Sequence, residues 1–476
     1  MLSGLFMLAA VVSVNFNKEI GTIRPELHSS GFGPQICSCP KESMDAIRSM
    51  GFKAARTHDW SLINPNQRVC DYFHIFPLMH LDARDPNNYV FGPTDYLLKR
   101  TREEMGLDIF FRLGTSIEHS GPNIHFNTLI PEDFDKLAEI FAGTIRHYNR
   151  GWANSHNWGI KYWEIWNEPD GRNNMWCLPD GDMGRGSNPT EIAADFKARE
   201  QRRMDLFVRF YVTCLKRLKS EFPDIKVGGP ALCSMNVRYF TALLKACKEA
   251  GVAPDFISWH HYTGNPDVIL NAIETGRKLC DSFGFKNCEL IINEWHFFGE
   301  YSWNELRSAD PETLQRVWSG PASHNGIDSS CFNLTMLSKF QTSKLDQAYY
   351  YGCRNNGAWG FMDERRRKYK VFHGLQMFGE LVNQLPVICE SAGTEGVTVL
   401  AVKTADNVRQ GFLVTDFRSG EKEIVVKVEG IAPGREIWAW RHDYSNDRAR
   451  IALRLIGGKL VLKKTDENSA AFLVMF

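Results

Sequence analysis

The chain has 476 residues with 56 basic and 56 acidic side chains, so its formal net charge at pH 7 is zero. This balance, without a long block of like charge, argues against a nucleic acid or an anionic membrane surface as partner. The length is enough for more than one domain, and a hydrophobic content of 43% is enough for a large core.

The amino-terminal residues 1–14 are apolar, but they are fewer than the ~20 residues that a membrane-spanning helix needs. They also lack the basic start of a complete signal peptide. A remnant of one is among the interpretations open for this segment; we favour a secreted or periplasmic protein over a cytoplasmic one, and the sequence leaves secretion open. Within residues 12–21, Val14 and Phe16 alternate with polar neighbours, and this pattern predicts a strand.

From residue 22 onward, short strand-like runs alternate with helix-like runs, as in parallel βα units. The predicted strands are 24–31, 52–60, 107–114, 160–169, 225–232, 255–262, 288–296 and 357–363. The predicted helices include 42–51, 133–149, 203–222, 237–251 and 337–352. Eight strands with intervening helices predict a (β/α)₈ TIM barrel of the α/β class.

From about residue 401 onward the helical periodicity disappears. Alternating segments separated by Gly, Pro, Asp and Asn follow, and they predict an accessory antiparallel β-sandwich domain. Because the amino-terminal strand precedes the first barrel strand, we expect it to join this domain. The predicted division is a catalytic barrel over residues 22–380 and an accessory domain made of residues 1–21 plus 381–476.

Active sites of such barrels lie at the carboxyl ends of the strands, so the polar residues that end each predicted strand are the candidate site. They are His58 and Asp59 (strand two), Asn167 and Glu168 (strand four), His260 and Tyr262 (strand six), Glu294 (strand seven) and Asp363 (strand eight). Of the adjacent His260 and His261, only one can face the site, because neighbours on a strand point to opposite sides. The alternation favours His260 and Tyr262 on one face.

Two glutamates at the mouth of one barrel match the requirement for glycosidic bond hydrolysis. One carboxyl group protonates the leaving oxygen while the other meets the anomeric carbon. Glu168 and Glu294 each follow an aromatic, apolar run and an Asn. Glu164 lies on the same strand face as Glu168 but deeper, and we interpret it as a buried ion-pair partner rather than a catalyst.

The motifs WNEP at 166–169 and NEW at 293–295 resemble those of the retaining clan A of glycoside hydrolases. Within it, the chain resembles glycoside hydrolase family 39, which includes β-xylosidases and α-L-iduronidases. The family resemblance rests on YWEIWNEPD at 162–170, RTHDW at 56–60, DFISWHHYT at 255–263 and the stretch from 359 to 374. It spans nearly the whole chain.

The resemblance implies that Glu168 is the general acid/base and Glu294 the nucleophile. Either Trp163 or Trp166 is expected to desolvate Glu168 and raise its pKa. Tyr262 or His260 is expected to donate to Glu294 and keep it ionised. Asn167 would donate to the sugar 2-hydroxyl. The predicted substrate-binding residues are Asn167, His58, Asp59, His260, Tyr262, Trp295, Trp359 and Asp363.

The predicted function is thus retaining hydrolysis of O-glycosidic bonds in a complex polysaccharide or its oligosaccharides, with a β-xyloside as the family default. An α-L-iduronide is the alternative, but residues 260–267 carry no Lys or Arg to bind a uronic acid, which leaves Arg365, Arg366 and Arg367 to do so. Exo and endo action both remain open.

Two hypotheses come from other classes of protein. One is a non-catalytic carbohydrate-binding relative, which the presence of both glutamates opposes. The other is a metal-dependent hydrolase with ligands drawn from His58, Asp59, His260 and Asp363, which the absence of a His-x-His spacing opposes. The sequence has no Gly-rich phosphate loop, so we predict that the protein uses no nucleotide cofactor and no metal.

Overall fold

A computed structural model describes most of the chain. The described residues are 10–31, 41–61, 68–117, 127–171, 175–299, 305, 310–318, 320–352, 359–363, 365–431 and 434–476. Residues 1–9, which make up most of the predicted signal-peptide remnant, lie outside them. Within the described part of the chain, none of the helices combines the length and apolarity needed to cross a membrane.

Eight parallel strands of the described residues close into a barrel in chain order. They are β2 (Ser29–Ser30), β3 (Ala54–Arg56), β4 (Asp108–Leu113), β5 (Tyr162–Ile165), β6 (Lys226–Leu232), β7 (Phe256–Thr263), β8 (Glu289–Phe297) and β9 (Gln347–Tyr350). Each strand pairs with the next, and β9 pairs with β2 to close the ring. The predicted (β/α)₈ barrel is therefore confirmed.

The helices that the structure describes are α1 (Lys41–Arg48), α2 (Tyr72–Ile75), α3 (Gly92–Glu103), α4 (Phe134–Asn149), α5 (Pro189–Glu221), α6 (Val237–Glu249), α7 (Pro266–Phe283), α8 (Pro311–Trp318), α9 (Ile327–Phe340) and α10 (Lys370–Val382). Local chemistry sets where several of them begin. Asp133, Asn188, Asn236 and Asn265 each accept a hydrogen bond from a backbone N–H of the first turn, so each caps the helix that follows it.

The prediction for the eighth barrel strand was wrong. The strand is β9, which lies in a segment predicted to be helical, whereas α9 ends at Phe340. The described part of the predicted strand, residues 359–363, forms turns and one isolated bridge from Met362 to Lys368. From sequence alone, the aromatic run at Tyr349 and Tyr350 fits a helix face as well as a strand. The segment forms a strand because it pairs with β8 on one side and with β2 on the other.

The accessory part is one nine-stranded sheet in the order β15-β14-β17-β12-β11-β10-β1-β13-β16. Its strands are β1 (Ala10–Thr22), β10 (Val387–Ala392), β11 (Val397–Lys403), β12 (Gln410–Asp416), β13 (Glu423–Glu429), β14 (Trp438–His442), β15 (Ala449–Ile451), β16 (Lys459–Lys463) and β17 (Ala470–Met475). Every neighbouring pair is antiparallel except β1 and β13, which are parallel. The expectation that the amino-terminal strand joins this sheet is confirmed.

Alternate residues of β1 build the core of the sheet. Val12, Val14 and Phe16 are buried in one apolar cluster with residues from β11, β12, β13, β16 and β17. The other face of β11 and β12 packs on the barrel, because Leu400 and Leu413 belong to the core that the barrel shares with its helices. The predicted domain boundaries, after residues 21 and 380, stay predictions.

Phe16→Ala removes a ring that is fully buried in the sheet core. We expect the free energy of unfolding to fall by ~3–5 kcal/mol, measured by urea denaturation. Val11→Ala is the matched control on the same strand, since the Val11 side chain is 48% exposed. Its effect should stay within ~0.5 kcal/mol. Equal losses for the two variants would contradict this packing.

Candidate active site

Polar residues from the ends of four barrel strands meet at one mouth of the barrel. We call them the mouth cluster: Arg56, His58, Glu164, Asn167, Glu168, Ser258, His260, Tyr262, Asn293 and Glu294. They come from β3, β5, β7 and β8 and from the residues directly after them. Most of the residues that we selected because they end predicted strands therefore lie together in the structure.

The Arg56 guanidinium lies at the centre of the mouth cluster and is fully buried. Its Nε donates to Glu164 Oε2 at 2.7 Å, its Nη1 to Glu294 Oε1 at 2.8 Å and its Nη2 to Asn167 Oδ1 at 2.7 Å. Burial lowers the pKa of Arg56, but the two carboxylates more than offset this and raise it overall. Arg56 is therefore a fixed positive charge beneath the two predicted catalytic residues.

Glu164 anchors the bottom of the cluster. Its Oε1 accepts hydrogen bonds from Ser258 Oγ at 2.6 Å and Asn293 Nδ2 at 2.7 Å, while its Oε2 is held by Arg56. With both oxygens occupied and no exposed surface, Glu164 is a structural ion-pair partner, as predicted. It compensates the buried charge of Arg56, which would otherwise carry a large desolvation penalty.

Glu168 and Glu294 face each other across His260. The His260 Nδ1 lies 2.8 Å from Glu168 Oε1 and 3.3 Å from Glu294 Oε2. Tyr262 donates its hydroxyl to Glu294 Oε2 at 2.7 Å. The prediction that His260 and Tyr262 share one face of β7 is confirmed, and both groups expected near Glu294 contact it.

The two carboxyl groups have different surroundings. Burial raises the pKa of Glu168 to about 7, against the opposing effects of the Cys233 thiol and of Arg56. Burial also raises the pKa of Glu294, but the Arg56 guanidinium and the Tyr262 hydroxyl contact its oxygens directly and favour the ionised form. When the pair carries a single proton, that proton therefore belongs on Glu168.

His58 and His260 are neutral at pH 7, because burial lowers the pKa of both imidazoles. The His58 Nε2 lies 3.5 Å from Glu294 Oε1 and 3.6 Å from Asp59 Oδ1. His58 is thus a neutral side chain beside Glu294, able to contact a bound ligand without adding charge to the site.

Asp59 lies at the edge of the site, with a φ of 57°. Its Oδ1 is 3.3 Å from Arg68 Nη1, and its Oδ2 accepts a hydrogen bond from the Tyr351 hydroxyl at 3.3 Å. Trp359 adds a half-buried indole beside this edge, with its ring centroid 5.8 Å from that of Tyr262. These positions agree with the predicted binding roles of Asp59 and Trp359, which stay predictions.

The backbone that carries Glu168 is in an unusual conformation. Trp166 and Glu168 have φ values of 76° and 43°, in the left-handed region that non-glycine residues rarely adopt. The backbone N–H of Glu168 donates to Ala231 O at 2.9 Å, and that of Trp166 to Leu113 O at 2.7 Å. Neighbouring strands thus hold this strained turn in place, a pattern that clusters at functional sites.

Two predicted binding residues do not reach the site. Trp295 is fully buried on the outer face of β8, where its ring packs edge-on against Phe340 and Tyr350, so its prediction as a sugar platform was wrong. Asp363 does not end a strand. Its carboxylate accepts backbone N–H bonds from residues 365 and 367 and pairs with the Arg367 side chain.

The aromatic residues before Glu168 also differ from the expectation. Trp163 stacks on Phe111, and Trp166 packs against Trp176 and Phe210 in the layer between the barrel and its helices. These ring contacts place both indoles in the packing around the barrel, and the expectation that one of them desolvates Glu168 stays a prediction.

Sequence reasoning missed Arg56. It ends β3 inside an otherwise apolar run, two residues before His58. That spacing places it on the same strand face as His58, and an arginine on the inner face of a barrel strand needs carboxylate partners. This signal was available from the sequence. The ligand set of the metal hypothesis, in contrast, is not among the groups of three or more potential ligands that the described residues bring within 4.8 Å of one another.

The fold is a closed barrel of eight parallel strands, with two carboxyl groups that face each other at its mouth. The sequence model of the family described as "Glycosyl hydrolases family 39" matches residues 192–283, which run from α5 to α7. A β-xylosidase of Geobacillus stearothermophilus is 22% identical over 282 residues, which cover 54% of this chain and 49% of that protein. The resemblance to glycoside hydrolase family 39 is thus confirmed. The aligned part spans about half the length of this relative.

Solved structures share the fold along nearly the whole chain. A glucosidase from Croceicoccus marinus has a TM-score of 0.72 at 19% identity, covering 98% of this chain and 99% of that one. A GH51 α-L-arabinofuranosidase from Thermotoga petrophila has a TM-score of 0.65 at 12% identity, covering 98% and 100%. At such identities the likeness is one of fold.

We expect the Glu168 carboxyl group to titrate near pH 7. The measurement is the carboxyl band in infrared spectra recorded as a function of pH, taken as the difference between wild type and Glu168→Gln. A protonated band that disappears through about pH 7 is the expected result. A midpoint near the ordinary glutamate value of ~4.3 would contradict the desolvation of this group.

Proposed function

We propose that the protein is a retaining glycoside hydrolase that cleaves O-glycosidic bonds by double displacement. The observation that carries this proposal is the contact of one nitrogen, His260 Nδ1, with both Glu168 and Glu294. Because a Glu168 oxygen lies 2.8 Å and a Glu294 oxygen 3.3 Å from this same nitrogen, the two carboxyl groups lie close together. This favours the ~5–5.5 Å spacing of retaining enzymes over the ~6.5–9.5 Å of inverting ones.

In the first step, Glu168 donates its proton to the leaving oxygen as the bond to the anomeric carbon breaks. A Glu294 oxygen forms a glycosyl ester with that carbon. In the second step, Glu168 accepts a proton from water, the water oxygen bonds to the anomeric carbon, and the Glu294 carboxylate is released. The raised pKa of Glu168 and the donors around Glu294 suit these two roles.

Asn167 is placed to assist the transition state. Its Oδ1 accepts from Arg56, which leaves its Nδ2 directed elsewhere, and no described residue accepts a hydrogen bond from that buried Nδ2. A sugar 2-hydroxyl is the acceptor that this position suits, and such a contact strengthens as the oxocarbenium-like character grows.

The substrate we propose is a neutral glycoside of β-xyloside type, released from a polysaccharide or its oligosaccharides. Several of the cations that could bind a uronic acid carboxylate have acidic partners already: Arg68 pairs with Asp59, and, of the three arginines at 365–367, Arg366 pairs with Glu42 and Arg367 with Asp363. A uronate would have to compete with these carboxylates. This disfavours the α-L-iduronide alternative. The match to a β-xylosidase supports the choice of sugar.

The roles are tested with aryl β-xyloside, α-arabinoside, β-galactoside, β-glucoside and α-iduronide. Wild type should hydrolyse the β-xyloside with retention. Glu294→Ala should abolish turnover. Glu168→Ala should lower kcat/KM by ~10²–10⁴-fold. Added azide should restore rate to this variant, because azide attacks the glycosyl ester without help from a general base.

Glu289→Gln is the matched control, because Glu289 lies at the opposite end of the same strand, β8, and pairs with Lys226. It should keep the wild-type rate. An inverted product would overturn the double-displacement mechanism, and turnover of the α-iduronide alone would overturn the proposed sugar. Silence on every substrate would favour a non-catalytic carbohydrate-binding protein.

The pH dependence of kcat/KM follows from Glu168. Because Glu168 must be protonated to act as the acid, kcat/KM should fall tenfold per pH unit above an apparent pKa of about 7. The profile is measured on the aryl glycoside with the highest rate. In Glu168→Ala this basic limb should disappear for a substrate with an activated leaving group, and its persistence would assign the limb to another residue.

A further inference from the structure

A second group of titratable side chains lies outside the barrel mouth. Asp95 is in the first turn of α3, His147 is in the last turn of α4, and His156 follows in the segment between α4 and β5. One potential ligand atom from each residue lies within 4.8 Å of the others. We call these three residues the α3–α4 cluster. None of them contacts the mouth cluster through a hydrogen bond or ion pair that we observe.

The hydrogen bonds of His147 identify which of its nitrogens faces the cluster. Its Nδ1 lies 3.2 Å from Trp152 O, and a carbonyl oxygen can only accept, so Nδ1 carries the hydrogen. Its Nε2 then points at Asp95 Oδ1, 3.0 Å away. The Ser155 hydroxyl, 2.7 Å away, can donate a hydrogen to this nitrogen, but a carboxylate oxygen also faces it, and a positive charge between the two, either a proton or a metal ion, makes that contact favourable.

The spacing of the three ligand atoms suits a tetrahedral ion. Zinc holds histidine nitrogens at ~2.0–2.1 Å and carboxylate oxygens at ~2.0–2.2 Å, so adjacent ligands lie ~3.3–3.4 Å apart. The two nitrogens lie 3.0 Å (His147) and 3.9 Å (His156) from Asp95 Oδ1. Small side-chain shifts bring both into the coordination sphere.

The imidazole rings are held in position by their neighbours. Phe91 stacks on His147 with the ring centroids 3.5 Å apart, and Trp158 stacks on His156 at 3.8 Å. The bond from His147 Nδ1 to a backbone carbonyl is the outer contact that orients most metal-bound histidines. Ser155 Oγ, 2.7 Å from His147 Nε2, lies where a fourth ligand or its hydrogen-bonding partner is needed.

We propose that Asp95, His147 and His156 bind one zinc ion, with the Ser155 hydroxyl or a water as the fourth ligand. The ion joins α3, α4 and the segment that leads into β5, so its role is to stabilise the fold. His147 is almost fully buried, whereas the side chains of Asp95 and His156 are each 28% exposed, which leaves a path for the ion. Two imidazoles and one carboxylate form a donor set that zinc favours.

The experiment uses the full chain after removal of any added histidine tag. The protein is treated with a chelator, dialysed and supplied with Zn²⁺, and bound zinc is then measured by elemental analysis. Wild type should retain about one equivalent per chain, and its Tm should rise until one equivalent has been added. Co²⁺ bound in place of Zn²⁺ should give the visible absorption of a tetrahedral site.

His156→Ala and Asp95→Asn should each lose the bound zinc, the Co²⁺ absorption and the rise in Tm. Asp95→Asn keeps a hydrogen-bonding side chain, so it controls for local misfolding of the alanine variant, and circular dichroism checks both. His80→Ala, which removes an exposed histidine outside the cluster, should behave like wild type.

Two outcomes would overturn the proposal. If wild type binds no zinc and its Tm does not respond, the charge between His147 and Asp95 is a proton and the cluster is an ion pair. If the two variants bind as much zinc as wild type, the ion binds elsewhere. Neither outcome depends on glycosidase activity, since the readouts are metal content and thermal stability.

Discussion

The structure of the barrel mouth depends on one buried cation. Arg56 contributes a donor to each of three side chains, and two of these are carboxylates from opposite sides of the barrel. Removing one partner of such a buried pair typically costs ~3–5 kcal/mol, because the other charge stays buried. Arg56 therefore links the stability of the barrel to the geometry of the site, and it favours the ionised form of Glu294 against the burial that raises the pKa of this group.

The same cation separates the two glutamates chemically. Both are buried and close enough to interact, so they cannot both ionise without cost. Glu294 accepts hydrogen bonds from Arg56 and Tyr262, whereas the groups beside Glu168 are the neutral His260 and the Cys233 thiol. One donor set thus divides a symmetric pair into a carboxylate and an acid. This division is what the proposed two-step reaction needs.

Much of this was predictable, for identifiable reasons. The alternation of strands and helices predicted the barrel, and the strand-end rule predicted Glu168, Glu294, His260 and Tyr262, because the carboxyl ends of parallel barrel strands meet at one mouth. The prediction for Trp295 was wrong because the alternation of inward and outward side chains is interrupted on β8. Asn293 and Glu294 both point inward, and the pairing register of β8 shifts there, which sends Trp295 outward. A shift in register depends on neighbouring strands and leaves no local signal in the sequence.

The position of β1 in its sheet has a consequence for how the chain acquires its fold. This first strand lies between β10 and β13, whose residues follow it by more than 360 positions. During synthesis on a ribosome, the strand emerges long before either partner exists, with one apolar face and two unpaired edges. The barrel can form in the interval, but the sheet cannot. The nascent β1 must therefore be kept from pairing with other chains until β10 and β13 have been synthesised.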